Sequence, residues 1–237
     1  MIRLRPFWYP PILTYHRVHP EPSTDTPTMS PQVFERQIAL LAKQWQPVDF
    51  STLAAWLEGQ GQLPARAVVV TFDDGTDDTC TYALPILVRH QVPATVFMIA
   101  DNVGRPGFLT REQLAELRAG GVAVGSHTVY HTYLPSRGPD QIRRELVESK
   151  QFLETCLGAP VDFISYPGGG YTAEARQMAR EAGYRAACTT NRGTNRWGID
   201  RWALRRITMH ASTRSPAALW VRCNGYYNTL RRLKPPS

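Results

Sequence analysis

The chain has 237 residues, of which 43% are hydrophobic, 20% charged and 10% aromatic. This is the usage of a folded globular protein: it excludes a disordered chain, and at this length neither disulfides nor a structural metal is needed to hold a core together. Lys and Arg number 27 against 20 Asp and Glu, giving +7 and a pI near 9.5. That favours anionic neighbours without selecting one.

Met1 to Pro11 contains two arginines but no apolar run of about 7–15 residues and no small-residue cleavage site, so it is not an intact signal peptide. No stretch approaches the roughly 18 apolar residues of a membrane span. The expected location is the cytoplasm or its membrane face, or beyond the membrane if an export segment has been removed.

Short apolar runs alternate with helix-period segments along the chain. The strands expected are Ile12–Tyr15, Ala67–Phe72, Ala94–Ile99, Val122–Val124, Val161–Tyr166, Tyr184–Thr189 and Ala203–Met209. Pro20–Pro31 reads as a surface loop. Leu41 with Trp45 and Leu53 with Trp56 have helical spacing and read as core. Thr110 and Gln113 form a capping box for a helix through Leu114 and Leu117 that stops at Gly120-Gly121. Ile142, Leu146, Leu153 and Leu157 give a second helix its core face, ended by Gly158. Ser215-Pro216 starts a last helix with a basic end at Arg231, Arg232 and Lys234. The four cysteines, 80, 156, 188 and 223, have no CxxC spacing and read as free thiols. The pattern predicts one α/β domain over residues 1–237, a (β/α) barrel of about seven parallel strands, with a doubly wound open sheet as the alternative.

In either architecture functional residues collect where strands end. His16 follows the first strand, Asp73-Asp74-Gly75 the second, Gly125-Ser126-His127 with His131 the fourth and Pro167 to Gly170 the fifth, while His210 stands near the end of the last. His127 and His131, four apart, are expected on one face of a helical turn about 6 Å from each other, a spacing suited to gripping one divalent ion. Adjacent carboxylates at Asp73 and Asp74 repel unless a cation or a proton intervenes. One would ligate and the other would act as base. A cation so held lowers the pKa of bound water from 15.7 toward about 7 and polarises a carbonyl. A leaving amine also needs a proton donor, for which His16 and His210 are the candidates.

Thr71-Phe72-Asp73-Asp74-Gly75, Ala94 to Met98, Ser126 to His131 and Tyr166-Pro167-Gly168-Gly169 occur in this order, and the match extends over roughly residues 10 to 210. In this the chain resembles the polysaccharide deacetylase family, also called the NodB-homology domain or carbohydrate esterase family four. The resemblance implies a distorted (β/α) barrel that removes acetyl groups from a sugar with a divalent metal, zinc first and nickel, cobalt or manganese as alternatives. It implies Asp73 as general base, Asp74, His127 and His131 as metal ligands, and Tyr166, Pro167, Gly168 and Gly169 as a cleft-lining segment with a backbone N–H near the oxyanion.

The chain departs from the common family pattern in two places. The arginine usual just before the Pro of the third motif, which holds the catalytic aspartate, is replaced by Ile164-Ser165-Tyr166, and Arg206 is the candidate substitute. Leu13-Thr14-Tyr15-His16 resembles the first strand of a permuted branch, the biofilm poly-N-acetylglucosamine deacetylases, which favours His16 over His210 as the acid. Trp197 and Tyr171 are candidate sugar-stacking rings, and Trp202 borders the same segment. The expected partner is a carbohydrate, an N-acetylated glycan or a lipid-linked sugar. Peripheral membrane contact through the basic C-terminal helix, with Tyr226, Tyr227 and Leu230, is a further expectation. Rival readings are a deformylase or other C–N hydrolase on the same barrel, and an inactive glycan-binding relative, which the intact Asp73, Asp74, His127 and His131 set opposes. No nucleic-acid-binding motif is present, so nucleic acid is not an expected partner.

Overall fold

The structure is a computed structural model that describes residues 9–191, 195, 198–211, 213 and 215–224. Six of the expected apolar runs form β1 (Ile12–Tyr15), β2 (Ala67–Phe72), β3 (Ala94–Met98), β4 (Val122–Ser126), β5 (Phe163–Ser165) and β6 (Ala186–Thr189). The seventh is divided at Arg206 into β7 (Leu204–Arg205) and β8 (Ile207–Thr208). All pair in parallel in the order β7-β6-β5-β4-β3-β2-β1-β8. Because β7 and β8 are successive pieces of one segment, the chain itself joins the two edges, and the sheet is nearly closed into a distorted (β/α) barrel. The Arg206 N–H donates to the Thr189 carbonyl on one side, and the Met209 N–H to the Thr14 carbonyl on the other. β1 therefore lies between β2 and the end of the last segment.

Around the sheet are α1 (Pro31–Gln44), α2 (Phe50–Leu57), α3 (Leu84–Arg89), α4 (Arg111–Ala119), α5 (Pro139–Leu157), α6 (Ala173–Glu181) and α7 (Pro216–Cys223). Thr110 and Gln113 form the expected reciprocal capping box on α4. Gly158 ends α5 in a left-handed conformation, φ 59°, and Ser215 caps α7. The expected basic end of that last helix, Arg231, Arg232 and Lys234 with Tyr226, Tyr227 and Leu230, lies outside the described residues. No described helix is long and apolar enough to cross a membrane. All four cysteines are free thiols, and Trp45 is buried.

Strand alternation sorts side chains between two environments. Ile12, Val69, Phe97, Phe163, Ala186, Cys188 and Leu204 form one cluster with Phe50, Leu53 and Ala54 of α2. Most of these residues stand at strand starts, so α2 closes the barrel interior at that end. Leu13, Val68, Val70 and Phe72 join the larger cluster under the outer helices. Following the inward parity toward the strand ends of β1, β2 and β5, Ile12, Val69 and Phe163 give way to buried Thr14, Thr71 and Ser165. The interior is thus apolar where strands begin and polar where they finish, which fixes the end at which charge can be housed.

Removing the α4 cap by Thr110→Ala deletes one side-chain acceptor for a helix N–H. The expected loss is about 1 kcal/mol, read as a lower urea midpoint with an unchanged slope.

Candidate active site

The two aspartates after β2 have opposite fates. Asp73 continues the inward parity of Val69 and Thr71 and is 2% exposed. Asp74 turns into the left-handed region, φ 71°, and Gly75 follows at φ 76°. A Cβ at Gly75 would lie 2.0 Å from the Met98 sulfur, so only glycine completes this turn.

Asp73 meets Arg206, which reaches into the barrel from the point where the last segment divides. The Arg206 Nη1 donates to Asp73 Oδ1 at 2.7 Å and Nη2 to Oδ2 at 2.5 Å. The guanidinium also donates to the Thr71 hydroxyl at 3.1 Å and the Ser165 hydroxyl at 2.6 Å, and it lies 5.3 Å from the centre of the Phe97 ring. Burial pushes the Asp73 carboxyl up, but the Arg206 charge, aided by His127 and by the hydrogen bonds, outweighs it and holds the group well below the usual carboxylate range. The stability this pair contributes is present above the ordinary carboxylate pKa and is lost only as pH falls through the depressed value, in strong acid.

Asp74 faces the histidines. Its Oδ1 is 3.6 Å from the Nε2 of both His127 and His131, and the three ligand atoms lie within 4.8 Å of one another. The expected helical turn is not there. Residues 127–133 are loop, with Thr128 at φ 66° and His131 at φ 57°, and the imidazole centres are 4.8 Å apart. Two left-handed residues fold this loop back so that both rings face Asp74, a convergence obtained without helical geometry. The His127 Nδ1 is 2.7 Å from the Ser165 carbonyl, so that nitrogen carries the proton and Nε2 presents its lone pair. Burial lowers the His127 pKa to about 4 and lowers that of His131, keeping both rings neutral. Burial and then the Asp73 charge raise Asp74 to about 6. One carboxylate and two neutral imidazoles around a common point fit a divalent cation by donor type and by convergence.

His16 follows β1 beside Asp73, whose N–H donates to the Tyr15 carbonyl at 3.0 Å. Its Nδ1 is buried without a hydrogen-bond partner among the described groups. The next two residues are tied to the loop beyond Asp74: Arg17 Nε and the Val18 N–H both donate to the buried Asp78 carboxylate, at 2.7 and 3.1 Å. His210 comes to the same edge, since Thr14 pairs with Thr208. The structure thus brings Asp73, Asp74, His127, His131, Arg206 and His16 to one end of the barrel, with His210 alongside.

The third motif is corrected in part, since the Gly168 N–H makes no hydrogen bond among the described residues. The Tyr166 ring is fully buried on the outer side, and its hydroxyl donates to the Trp202 carbonyl. Its N–H is committed to the Cys188 carbonyl, while those of Gly169 and Gly170 are committed to Tyr166 and Pro167, so none of these three is a free oxyanion donor. Pro167 and Gly169 are buried, and Gly168 is exposed. Tyr171 gives one face to Tyr166, 5.2 Å between centres, and packs on the outer core instead of standing open to the site. Trp202 lies near the strand-start end, with its Nε1–H on the Tyr184 carbonyl and Arg180 and Arg201 against its ring, so it does not border the cleft. Trp197 lies outside the described residues. The ring that does occupy the rim is Tyr133, 53% exposed. A Cβ at Gly170 would come 2.2 Å from it, so glycine there admits the ring.

These features, a nearly closed parallel barrel with an Asp-His-His set and a buried Asp-Arg pair at its strand ends, define a hydrolase-type barrel site. The polysaccharide deacetylase family profile matches residues 60–187. The Bacillus subtilis (strain 168) protein YxkH, named as a polysaccharide deacetylase, is 31% identical over 198 residues, 83% of this chain and 70% of that one. The chain belongs to the polysaccharide deacetylase family. The peptidoglycan-N-acetylglucosamine deacetylase of Bacillus cereus is 32% identical over 147 residues, 61% of this chain and 63% of its own. The Staphylococcus aureus (strain MSSA476) poly-beta-1,6-N-acetyl-D-glucosamine N-deacetylase is 26% identical over 66% of this chain and 59% of its own length. The chain thus spans about three fifths of these last two relatives. Among solved structures, the Streptococcus pyogenes deacetylase PplD in complex with acetate superposes with TM-score 0.81 at 26% identity, covering 95% of this chain and 98% of that one. IcaB from Ammonifex degensii superposes at 0.79 and 28%, covering 90% and 96%. The likeness to these two solved structures therefore extends over most of the chain.

Replacing Arg206 by Leu leaves the Asp73 carboxylate buried without its partner, and the expected cost is about 3–5 kcal/mol. The double variant Asp73→Asn/Arg206→Leu is expected to lose less than the sum of the single changes, as read from denaturant midpoints.

Proposed function

We propose that the protein is a metal-dependent hydrolase that removes N-acetyl groups from N-acetylhexosamine units of a polysaccharide or of its lipid-linked precursor. The observation that carries this reading is the division of labour between the two aspartates: Asp74 faces two neutral imidazoles, while Asp73, next in sequence, is held ionised by Arg206. The named substrates of the B. cereus and S. aureus relatives, and the acetate in PplD, support the acetyl group and the glycan.

Asp74, His127 and His131 would hold the divalent cation, zinc or else nickel, cobalt or manganese. When bound, such a cation supplies polarisation of the acyl carbonyl and acidification of water. Asp73 accepts the proton of the attacking water. Arg206 fixes both of its oxygens and keeps it deprotonated at neutral pH, so it is always in the accepting form. His16 donates the proton that the departing amine requires. Its place beside Asp73 at the strand ends suits a group that exchanges protons with a substrate, and His210, next along the same edge, is the alternative donor.

Metal content and acetate release from N-acetylglucosamine oligomers test this reading. Asp74→Ala is expected to lose metal and activity. Asp73→Asn is expected to retain metal while kcat falls by roughly 10²–10⁴-fold, and unaltered turnover in that variant would remove Asp73 from the reaction. Formate release in place of acetate would reassign the acyl group.

Metal uptake should also depend on pH with a definite sign. Asp74, raised to about 6, carries a proton below that value which a cation must displace. The apparent affinity of the metal-free protein is expected to fall about tenfold per unit as pH drops below 6, as measured by competition with a chelator. His127, at about 4, does not compete over most of that interval.

A further inference from the structure

The loop that carries His127 and His131 cannot hold its own shape, because Thr128 and His131 both adopt the left-handed region that non-glycine residues avoid. Something outside it must fix it. On one side, the turn after β3 does so: the N–H groups of Ala100 and Asp101 donate to the carbonyls of Thr128 and Val129, each at 3.0 Å. On the other side stands α5. Glu145 on this helix is 3% exposed, and its Oε2 accepts the backbone N–H groups of Val129 at 2.8 Å and Tyr130 at 3.1 Å. Its Oε1 accepts the Thr132 hydroxyl at 2.6 Å. One turn further, the Ser149 hydroxyl meets the Ser126 hydroxyl at 2.8 Å, which in turn accepts the Thr128 N–H at 3.1 Å.

A buried carboxylate is costly unless its lone pairs are filled. Glu145 makes no ion pair among the described residues, and its three donors all come from the few residues that separate or follow the two imidazoles. Two of those donors are peptide N–H groups of the stretch that sets where His131 stands relative to His127. We infer that Glu145 is a positioning residue for cation capture: it holds the His127–His131 loop in the conformation that aims both imidazoles at Asp74. This rests on the proposed role of those three residues as a cation site. The work is done by acceptor geometry and not by charge. A carboxamide oxygen can accept both N–H groups, with its NH₂ turned to the Thr132 hydroxyl, which can then accept.

The test compares Glu145→Gln and Glu145→Leu in the full chain, using zinc alone as probe. Zinc affinity of the metal-free protein is measured by chelator competition, and hydrogen exchange is followed at the Val129 and Tyr130 amides. Glu145→Leu is expected to bind zinc 10–100-fold more weakly and to lose protection at those two amides, with kcat recovering to within about threefold at saturating zinc. Glu145→Gln is expected to stay within about threefold of wild type in both readouts. A Leu variant with wild-type affinity and protection overturns the inference, as does a Gln variant as impaired as the Leu variant. Should Glu145→Leu fail to fold, Thr132→Val removes a single donor and is expected to weaken zinc binding severalfold; unchanged affinity there counts against the inference. If Asp74→Ala binds zinc as tightly as wild type, the cation-site reading itself fails, and amide protection alone then decides whether Glu145 anchors the loop.

Discussion

A guanidinium and a carboxylate, both shut away from water, meet at the place where the last strand segment divides. Each charge would be costly in the barrel alone. Together, with the Thr71 and Ser165 hydroxyls filling further positions on Arg206, they form a polar plug at the strand-end half of an otherwise apolar interior. The residue that provides the cation is also the one at which pairing passes from β6 to β1, so closure of the sheet and ionisation of Asp73 depend on the same few ångströms of chain.

The Asp73-Asp74 doublet derives its properties from this arrangement. Strand alternation sends Asp73 inward to Arg206, and a left-handed turn sends Asp74 outward to the imidazoles. Burial acts against ionisation at both, yet one is depressed and the other raised, because only Asp73 has a guanidinium within hydrogen-bond reach while Asp74 feels the negative charge of its neighbour. Neutral histidines and a carboxyl ionised above about 6 are what a divalent cation would need on arrival. Arg17 and Val18, which follow His16, are bound into the same assembly through Asp78.

Much of this was legible in the residues. The seven apolar runs, the capping box at Thr110, the Gly158 stop and the residues collected after the strands follow from periodicity and turn chemistry, which are local. The misreadings also have local origins. His127 and His131, four apart, suggest a helical turn, yet hydrogen bonds to Glu145, fourteen residues or more further on, and from Ala100 and Asp101 impose a loop. Tyr166 stands in the motif and Tyr171 follows its glycines, places that suit a cleft and a stacking ring, but parity sends Tyr166 outward into the packing under the helices. Glu145 left a faint trace: with Ile142, Leu146, Ser149 and Leu153 it lies on the buried face of α5, where a charged residue is out of place unless something fills its lone pairs.

The sequence by itself determined which segments are the main strands, which side chains alternate inward and which chemically active residues stand at strand ends, since each of these depends on neighbours a few positions away. Only the tertiary structure decided that Arg206 serves Asp73, that both imidazoles converge on Asp74, and that glycine at position 170 makes room for Tyr133. Those are contacts between residues 37 to 133 positions apart, and their free energy depends on burial and on closure of the sheet, neither of which a short window of residues contains.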